Sequence, residues 1–557
     1  MAEQLQRLHF TPFSMSDSSD KDNPNSETFL LALALLSSLL VGGFVRFAHV
    51  LPMDYPLNDG GFFYTLIQDL QAADTFLPAY TSYNQIDIPF AYPPLAIFIT
   101  DIFSQLLNIS ILDLIRLLPA ALSCLTIPAF YLLARKLLPS TIQIVSATFA
   151  FALLPTAFDW LIVGAGLTRA AGFFFAILTL VQIHSLYTTS QKRHIFFAIL
   201  FASLTILSHP GTAWFAFYSG GILFAFLISS QKVGGTSEVL WKRLRSRRLL
   251  ADFGNLAPQN IIKSIFVVLG TLFLTSPWWG TLIYRHGLQT ILNPYQTETH
   301  SLTALITPFS LLFTNEPLVD ILAVLGFLGL LVSLRERKFL LPSWLLAVFI
   351  FEPRLSAVYA SIPMALLAGI GVDQAILPLV TTQRSGGKLA KFTIGFLLIY
   401  ALISAYLAPQ YNSISHAQAE SMEWISQHTP ENSTFIVLTG NESYGNDYTS
   451  EWFPSLSRRH SIATPQGHEW LPEKEFSRRI SLHAELQTYA HTDITSLEAW
   501  AKNNQLTYSH IYIAKKALQE NQIPVNIFQE SLEYSSGYEL IFDNEGALVY
   551  AIRPLSE

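Results

Sequence analysis

The sequence predicts a polytopic α-helical membrane protein, with about eleven spans and one partly inserted helix, that ends in an extracytoplasmic α/β domain. Two observations predict this fold class. The chain has 557 residues, of which 51% are hydrophobic and only 13% charged, a composition typical of proteins with many membrane spans. The apolar runs recur from residue 28 to residue 409, and the composition then becomes polar.

The first apolar run, residues 28–50, is long enough to cross about 30 Å of hydrocarbon as a helix. Residues 1–27 before it are polar and acidic, and we expect a disordered tail there. Because Gly42, Gly43 and Arg46 lead into a bulky loop, the run is interpreted as an uncleaved span. The further predicted spans are 112–134, 138–157, 169–188, 195–209, 211–230, 261–283, 318–334, 339–351, 355–373 and 392–409.

The basic residues between the spans predict the orientation of the chain. Clusters occur at 135–136, 192–193, 242–248, 335–338 and 384–391, and such clusters are retained on the cytoplasmic side. The N-terminus is then cytoplasmic, whereas the first loop, residues 51–92, and everything after residue 410 are extracytoplasmic. Residues 92–110 are apolar, but a full span there would invert every later assignment. We therefore expect a short re-entrant or interfacial helix.

Residues 410–557 read as a soluble α/β domain. The stretch "AESMEWISQHTPENSTFIVLTG" predicts a helix, a turn with proline and a strand. The stretches "HIYIAKK" and "ALVYAIRP" also have strand character, because β-branched and aromatic residues dominate them. The chain is thus predicted to consist of a tail (1–27), a transmembrane module (28–409) and this domain (410–557).

Polar residues are few on the predicted outer face, and Asp59 is prominent among them. It lies in "NDGG", directly after the first span. A carboxylate beside two glycines is also an ordinary turn signature. The residue types alone are therefore compatible with two interpretations of Asp59, an ordinary turn residue and a functional residue.

The order of several motifs resembles the opening of the glycosyltransferase C superfamily, especially its protein mannosyltransferase and lipid A aminoarabinose transferase branches. The motifs are "LNDGGFFYTLIQDL", then "YPPLAIFI", then "IRLLPAALSCLTIPAFYLLARKLL". Members share an acidic residue after the first span, a Pro-Pro-Leu helix and an Arg-Leu-Pro start to the next span. The resemblance covers roughly the first quarter of the chain well and thins out afterwards.

The start of the C-terminal domain is similar to the helix-turn-strand that opens the soluble domain of oligosaccharyltransferase catalytic subunits. The Trp-Trp-Asp-Tyr-Gly motif expected after it is absent, and "NESYGND" stands in its place. This difference argues against glycosylation of peptide sequons.

The superfamily resemblance implies transfer of a sugar from a polyprenyl phosphate to an acceptor hydroxyl. A carboxylate can accept the hydroxyl proton, and we assign this role to Asp59. The leaving phosphate needs cationic donors, for which Arg354 is the first candidate and Arg169 the second. Either arginine would also be explained as an ordinary anchor at the membrane interface.

The donor pocket is predicted to include Tyr92, His209 and Tyr359. His209, in "LSHPGTAW", is also explained as a polar turn residue. No cofactor is implied firmly. Some branches of the superfamily use a divalent metal, for which Asp59, Asp159 and His209 would be candidate ligands. The single cysteine, Cys124, excludes a disulfide within the chain.

Two further segments carry open interpretations. The aromatic residues of "SPWWGTLIYRHG" are interpreted as interfacial anchors. Residues 451–472, "EWFPSLSRRHSIATPQGHEWLP", are predicted to form an irregular loop that faces the membrane site and helps to bind the acceptor. An ordinary packed loop is an equal alternative.

The expected partners are a polyprenyl-phosphate-linked sugar, a lipid, glycan or protein acceptor, and membrane lipids, but no nucleic acid. Two other functions remain possible from the sequence. A transporter or flippase would also have many spans, although related halves, which are typical of transporters, are not evident. A non-catalytic relative would keep the fold without the chemistry.

Overall fold

The structure, a computed structural model, describes residues 24–56, 58–74, 76–164, 166–189, 191–231, 258–296, 319–352, 355–381, 386–409, 411, 413–472, 474–515 and 526–553. Arg354, the basic cluster 242–248 and most of the predicted N-terminal tail lie outside these ranges.

The first part of the chain is helical. Its helices, in chain order, are α1 (Pro24–Val50), α2 (Gly60–Ala72), α3 (Leu95–Leu107), α4 (Ile111–Leu137), α5 (Thr141–Leu153), α6 (Gly166–Thr188), α7 (Arg193–Ile206), α8 (Pro210–Gln231), α9 (Pro258–His286), α10 (Leu288–Gln296), α11 (Ile321–Arg335), α12 (Leu340–Phe351), α13 (Ser356–Gly371), α14 (Leu377–Thr381) and α15 (Gly386–Leu407). A short antiparallel pair, β1 (Tyr80–Thr81) and β2 (Ile88–Pro89), lies between α2 and α3.

Each of the eleven predicted spans overlaps a helix. Within the described ranges, seven helices are long and apolar enough to cross a membrane, and the bent pair Thr141–Leu153 and Pro155–Leu161 adds an eighth if it forms one span. The helices α7, α11 and α12 are apolar but shorter. The chain is therefore an integral membrane protein, whereas the total of eleven spans and their orientation remain predictions.

The predicted partly inserted segment, 92–110, contains helix α3. Its 13 residues extend about 20 Å at 1.5 Å per residue, which is less than the roughly 30 Å thickness of the hydrocarbon core. The length of α3 agrees with a helix that does not span the membrane on its own. The predicted tail is wrong at its end, because residues 24–27 belong to α1.

The helices α4 and α6 form the centre of the membrane part. The span window is 61% buried in α4 and 72% buried in α6, but only 11% in α9 and 17% in α15. Helix α6 carries Arg169 in its first turn. The packing around α6 therefore fixes the backbone from which this side chain extends.

The second part of the chain is the α/β domain predicted from the sequence. Its elements are α16 (His416–His428), β3 (Thr434–Leu438), α17 (Tyr448–Ser457), β4 (His460–Ser461), α18 (Glu475–Thr488), α19 (Ile494–Asn503), β5 (His510–Ala514), α20 (Asn526–Glu533), β6 (Tyr538–Asp543) and β7 (Ala547–Ile552). The strands form one sheet in the order β4-β3-β5-β7-β6. β3 is parallel to β4 and β5, and β7 is antiparallel to β5 and β6.

The local sequence explains how this domain begins. Ser415 caps α16 and forms a capping box with Gln418, which satisfies two backbone N–H groups of the first turn. Strands β3 and β5 are almost entirely buried, as expected for the apolar runs that predicted them. The predicted boundary at residue 409 falls between α15 and α16.

Candidate functional site

Asp59 lies at the N-terminal end of α2, in the left-handed region of backbone space, with φ 65° and ψ 12°. Its neighbour Asn58 is also left-handed, with φ 68°. Two consecutive non-glycine residues in this region are unusual, because each costs of order 1 kcal/mol or more unless the surroundings enforce it. Other contacts must therefore hold this turn.

Glu451, in helix α17 of the C-terminal domain, provides these contacts. Its Oε2 accepts a hydrogen bond from the Asn58 N–H at 3.1 Å, and its Oε1 accepts one from the Gly61 N–H at 3.2 Å. The Asp59 N–H also bonds to this carboxylate. The first N–H groups of a helix have no partner within the helix, so Glu451 caps α2 from a distant part of the chain.

The glycines after Asp59 allow helix α17 to approach. A Cβ atom at Gly61 would lie 2.9 Å from the Glu451 carbonyl oxygen, and one at Gly60 would lie 3.0 Å from the Trp452 ring. The Trp452 Nε1–H donates to the Pro56 carbonyl at 3.0 Å, and the Ser455 hydroxyl donates to the Gly61 carbonyl at 2.6 Å. The glycines thus serve the contact between the two parts of the protein.

Arg169 faces Asp59 from α6. The Arg169 Nη2 atom lies 3.9 Å from Asp59 Oδ2, and the two side chains are 11% and 30% exposed. Its guanidinium also lies 5.7 Å from the centre of the Trp160 ring. In the described part of the chain, the Nε and Nη1 atoms are buried and have no hydrogen-bond partner. Most of the donors of Arg169 are therefore not used by groups of the described residues.

His209 and Tyr359 lie close to each other beside this pair. His209 precedes α8, and its Nδ1 accepts the Thr212 N–H at 3.2 Å. A Cβ atom at Gly211 would lie 3.1 Å from the His209 ring and 3.2 Å from the Tyr359 hydroxyl. Tyr359 is 1% exposed and stacks on Phe215 at 4.7 Å. Tyr359 thus packs behind the site, whereas His209 lines it.

Tyr92 also lines the site. Its ring contacts Trp470 edge-on at 5.6 Å, and its hydroxyl bonds to Thr168. Burial, partly opposed by Arg169, raises the pKa of Tyr92 to about 12. The hydroxyl therefore stays protonated and can act as a hydrogen-bond donor.

These side chains surround a polar cavity of about 400 Å³. The transmembrane module contributes the larger part of its wall, which includes Asn58, Asp59, Tyr92, Arg169, His209 and Glu352. The C-terminal domain contributes the rest, which includes Tyr444, Glu451, Gln466, Glu469, Trp470 and Phe476. The volume lies in the range of small-molecule sites.

A second, apolar cavity of about 990 Å³ adjoins the polar one. Its wall includes Trp214, Phe217, Trp278, Trp279, Ile283 and Phe351. Four residues line both cavities: Pro210, Glu352, Trp470 and Pro294. A ligand with a polar head and a long apolar chain could occupy the two together.

The structure brings together four of the predicted site residues, Asp59, Arg169, His209 and Tyr92, around the polar cavity. Arg354 lies outside the described residues. Asp159 is not among the residues that line the cavity, and its carbonyl accepts a hydrogen bond from the Tyr411 hydroxyl at 2.9 Å. Among the residues that the structure describes, no group of three His, Cys, Asp or Glu side chains could hold a metal ion. Asp59, Asp159 and His209 thus do not form such a group.

The segment 451–472 is not one irregular loop, because residues 448–457 form helix α17 and residues 460–461 form β4. Glu451, Gln466, Glu469 and Trp470 from this segment line the polar cavity. Trp278 and Trp279, interpreted from the sequence as interfacial anchors, line the apolar cavity. No local signal in the sequence distinguishes these residues from ordinary packed or interfacial ones.

Comparison with solved structures shows the same fold in membrane glycosyltransferases. The archaeal oligosaccharyltransferase AglB from Archaeoglobus fulgidus, in complex with an inhibitory peptide and a dolichol-phosphate, matches with a TM-score of 0.56 and 14% identity, over 95% of this chain and 75% of AglB. The arabinofuranosyltransferase AftD from mycobacteria matches with a TM-score of 0.56 and 14% identity, over 94% of this chain and 40% of AftD.

ArnT from Cupriavidus metallidurans, bound to undecaprenyl phosphate, has a TM-score of 0.49 and 14% identity over 95% of this chain and 98% of its own. No protein-family model matches the chain, and a sequence search of curated proteins finds no match. At such low identities the likeness shows the fold. The expected resemblance is thus confirmed for the fold alone, which the chain shares with AglB and AftD.

The ionisation of Glu451 is expected to make stability depend on pH. Burial, together with the Asp59 carboxylate, raises its pKa from 4.5 to about 8, although the three N–H donors lower it. The folded protein therefore keeps a proton that the unfolded chain loses above pH 4.5. The resulting stabilisation is complete below pH 4.5 and is lost as the pH rises through about 8, with a slope of at most about 1.4 kcal/mol per pH unit.

Thermal unfolding of the purified protein and of the Glu451→Gln variant between pH 5 and pH 9 tests this expectation. The unfolding temperature of the original protein should fall relative to the variant up to about pH 8 and then run parallel to it. Glu539→Gln, which changes an exposed carboxylate of the same domain, serves as the control. If the unfolding temperatures of the original protein and of Glu451→Gln ran parallel over the whole pH range, the raised pKa of Glu451 would be contradicted.

Proposed function

We propose that this protein is a membrane glycosyltransferase that moves a sugar from a polyprenyl-phosphate carrier to an acceptor hydroxyl on the extracytoplasmic side, with Asp59 as the base. The observation that carries the proposal is the pair of adjoining cavities. The polar cavity holds a carboxylate and an arginine 3.9 Å apart, and it shares four lining residues with the apolar cavity. A lipid-linked sugar needs both environments in one site.

The polar cavity suits the phosphate of such a carrier. Arg169 has a planar guanidinium, which binds phosphate oxygens with two parallel hydrogen bonds. Pro210 and Gly211, at the beginning of α8, and Leu355 and Ala357, at the beginning of α13, also line the cavity. Helix N-termini carry partial positive charge and favour anions. These features support binding of the phosphate at the Arg169 end of the cavity.

The reaction can be written with the residues of this chain. Asp59 accepts the proton of the acceptor hydroxyl, whose oxygen forms a bond to the anomeric carbon. The bond between that carbon and the phosphate oxygen breaks, and polyprenyl phosphate leaves with the electron pair. Arg169 stabilises the charge that develops on the phosphate. A single displacement of this kind inverts the configuration of the anomeric carbon.

Arg354 remains a candidate for a second phosphate ligand. Glu352 and Leu355, which flank residues 353 and 354 in the sequence, both line the polar cavity. Because Asp59, Asp159 and His209 do not form a metal-binding group, the proposal assigns no step to a metal ion.

The solved structures give independent support for the class of donor. AglB, which has the same fold, was solved with a dolichol-phosphate, and AftD is an arabinofuranosyltransferase. The donor of the present protein is therefore proposed to be a sugar on a phosphorylated polyprenyl chain. The apolar cavity would hold the first isoprene units of that chain.

The variant Asp59→Asn is expected to lose turnover while it still binds the donor. The amide keeps the shape of the side chain but cannot take the hydroxyl proton, which should lower the rate by roughly 10²- to 10⁴-fold. Lipids that co-purify with the protein from its own host cells should be analysed by mass spectrometry. The variant should carry more sugar-loaded polyprenyl phosphate than the original protein, because the sugar is not transferred.

The variant Glu539→Gln, which lies away from the cavity, is the control for this measurement. Equal amounts of sugar-loaded carrier in Asp59→Asn and in the original protein would remove the assignment of Asp59 as the base. A carrier that is transported without loss of its sugar by both proteins would favour a flippase.

The variant Arg169→Ala is expected to weaken phosphate binding by roughly tenfold or more, because the charge-assisted hydrogen bonds are lost. Native mass spectrometry in nanodiscs can titrate dolichyl phosphate, undecaprenyl phosphate and the corresponding alcohols. The original protein should prefer each phosphate over its alcohol, and the variant should lose this preference. Arg116→Ala, which removes an arginine paired with Asp113 at 2.7 Å, should keep it. An unchanged preference in Arg169→Ala would contradict a phosphate role.

The variant Ala213→Trp is expected to block the apolar cavity, which Ala213 lines. A long polyprenyl phosphate should bind roughly tenfold more weakly, because its chain loses buried contacts, whereas a ten-carbon citronellyl phosphate should bind unchanged. Gly221→Trp is the matched control, since a Cβ atom at this position of the same helix meets no neighbour. If both phosphates bound Ala213→Trp and the original protein equally well, the chain would not occupy this cavity.

A further inference from the structure

The part of the polar cavity wall that comes from the C-terminal domain differs in chemistry from the Arg169 end. It contains the aromatic residues Tyr444, Trp470 and Phe476, together with Gln466 and Glu469. We call these five residues the aromatic wall. Tyr444 and Phe476 form an edge-to-face pair with ring centres 5.8 Å apart, so each ring holds the other in place.

Two buried polar atoms of the aromatic wall have no partner within the described ranges. They are Oε1 of Gln466 and Nε1 of Trp470, which belong to residues only 5% and 4% exposed. A buried polar atom without a hydrogen bond costs about 1–3 kcal/mol. Because both residues line the polar cavity, a ligand with hydrogen-bonding groups can satisfy these atoms, Oε1 as an acceptor and Nε1 as a donor.

The charge of the cavity limits which ligands fit the aromatic wall. Among the described lining residues, the acidic side chains are Asp59, Glu352, Glu451 and Glu469, of which Glu451 keeps its proton below about pH 8, and the only arginine or lysine is Arg169. Glu469 belongs to the aromatic wall itself. A ligand with its own carboxylates or phosphates would be repelled there, whereas a neutral or cationic ligand would not.

The sheet edge beside the aromatic wall is closed to an extended peptide. Strand β4 comes directly before the segment that contains Gln466, Glu469 and Trp470. Both backbone groups of Ser461, the last residue of β4, are used by the Asn84 side chain. The Asn84 Nδ2 donates to the Ser461 carbonyl at 3.0 Å, and Asn84 Oδ1 accepts the Ser461 N–H at 2.6 Å. Peptide binding by addition of a strand requires such groups to be available. A peptide acceptor is therefore disfavoured at this edge.

We propose that the aromatic wall is a saccharide-binding subsite, which holds a neutral or amino-bearing sugar as the acceptor of the transfer. The apolar faces of a sugar ring contact Tyr444 and Phe476, and its hydroxyls bond to Gln466, Glu469 and the Trp470 indole. A site built to bond hydroxyl groups discriminates strongly against ligands that lack them. The role of this sugar as the acceptor rests on the proposed function, whereas saccharide binding by the aromatic wall does not.

Saturation-transfer NMR on the full-length protein in nanodiscs tests the subsite with three trisaccharides of equal length. They are triacetylchitotriose, which is neutral, the glucosamine trimer, which is cationic, and trigalacturonate, which is anionic. Saturation should transfer to the first two, and trigalacturonate should bind roughly tenfold more weakly or worse. Glu469→Gln should narrow the difference between the cationic and the anionic trimer.

The variant Tyr444→Leu should weaken binding of the neutral trimer by roughly fivefold or more, because the ring contact is lost, and Tyr444→Phe should retain binding. Tyr534→Leu, which changes a tyrosine 90% exposed in the same domain, is the matched control, and thermal unfolding checks that every variant is folded. No transfer to any trimer at millimolar concentration, or equal transfer in Tyr444→Leu, would overturn the proposal. Preference for trigalacturonate, or for a serine-rich hexapeptide over all trimers, would overturn it as well. Polyprenyl-phosphate binding measured on the same samples reports separately on the proposed function.

Discussion

The contact between the Glu451 carboxylate and the N-terminus of α2 is the constraint on which the rest of the site depends. It joins residues 393 positions apart, and it buries a carboxylate that is 1% exposed. Burial of such a group is costly unless its oxygens receive hydrogen bonds. The N–H groups of Asn58, Asp59 and Gly61 donate these hydrogen bonds. Glu451 is in turn the acceptor that α2 itself cannot supply to these N–H groups. The contact thus lowers the free-energy cost of burying Glu451 and that of leaving the first N–H groups of α2 without acceptors.

This contact explains why Asp59 can keep a left-handed backbone. An aspartate in that region adds a penalty of about 1 kcal/mol or more, which must be offset by its surroundings. Since Asn58 and Gly61 are bonded to the same carboxylate, the turn between them has little freedom. The Asp59 side chain is consequently aimed at the cavity by a helix of the other domain. The polar cavity is complete only where the membrane part and the C-terminal domain meet.

The sequence predicts the fold well because hydrophobicity is a local property. Each of the eleven predicted spans overlaps a helix, and the three predicted strands lie in the sheet of the C-terminal domain. The motif order also led to Asp59, Arg169, His209 and Tyr92, which line one cavity. Glu451 could not be predicted as a partner of Asp59, since nothing local distinguishes it from other acidic residues on a polar helix. Nothing in the sequence indicated that Trp278 and Trp279 line the apolar cavity, because a tryptophan at the end of a span has the same sequence context whether it faces the bilayer or a cavity.

The distance between Asp59 and Arg169 bears directly on the chemistry. At 3.9 Å the pair is longer than a charge-assisted hydrogen bond, which is about 2.7–2.9 Å, yet it is still within the range of an ion pair. A closer pair would use the donors of Arg169 on Asp59 and leave fewer for a phosphate. The observed separation therefore suits the proposed pairing of Asp59 as the base with a cation whose remaining donors, Nε and Nη1, have no protein partner among the described residues.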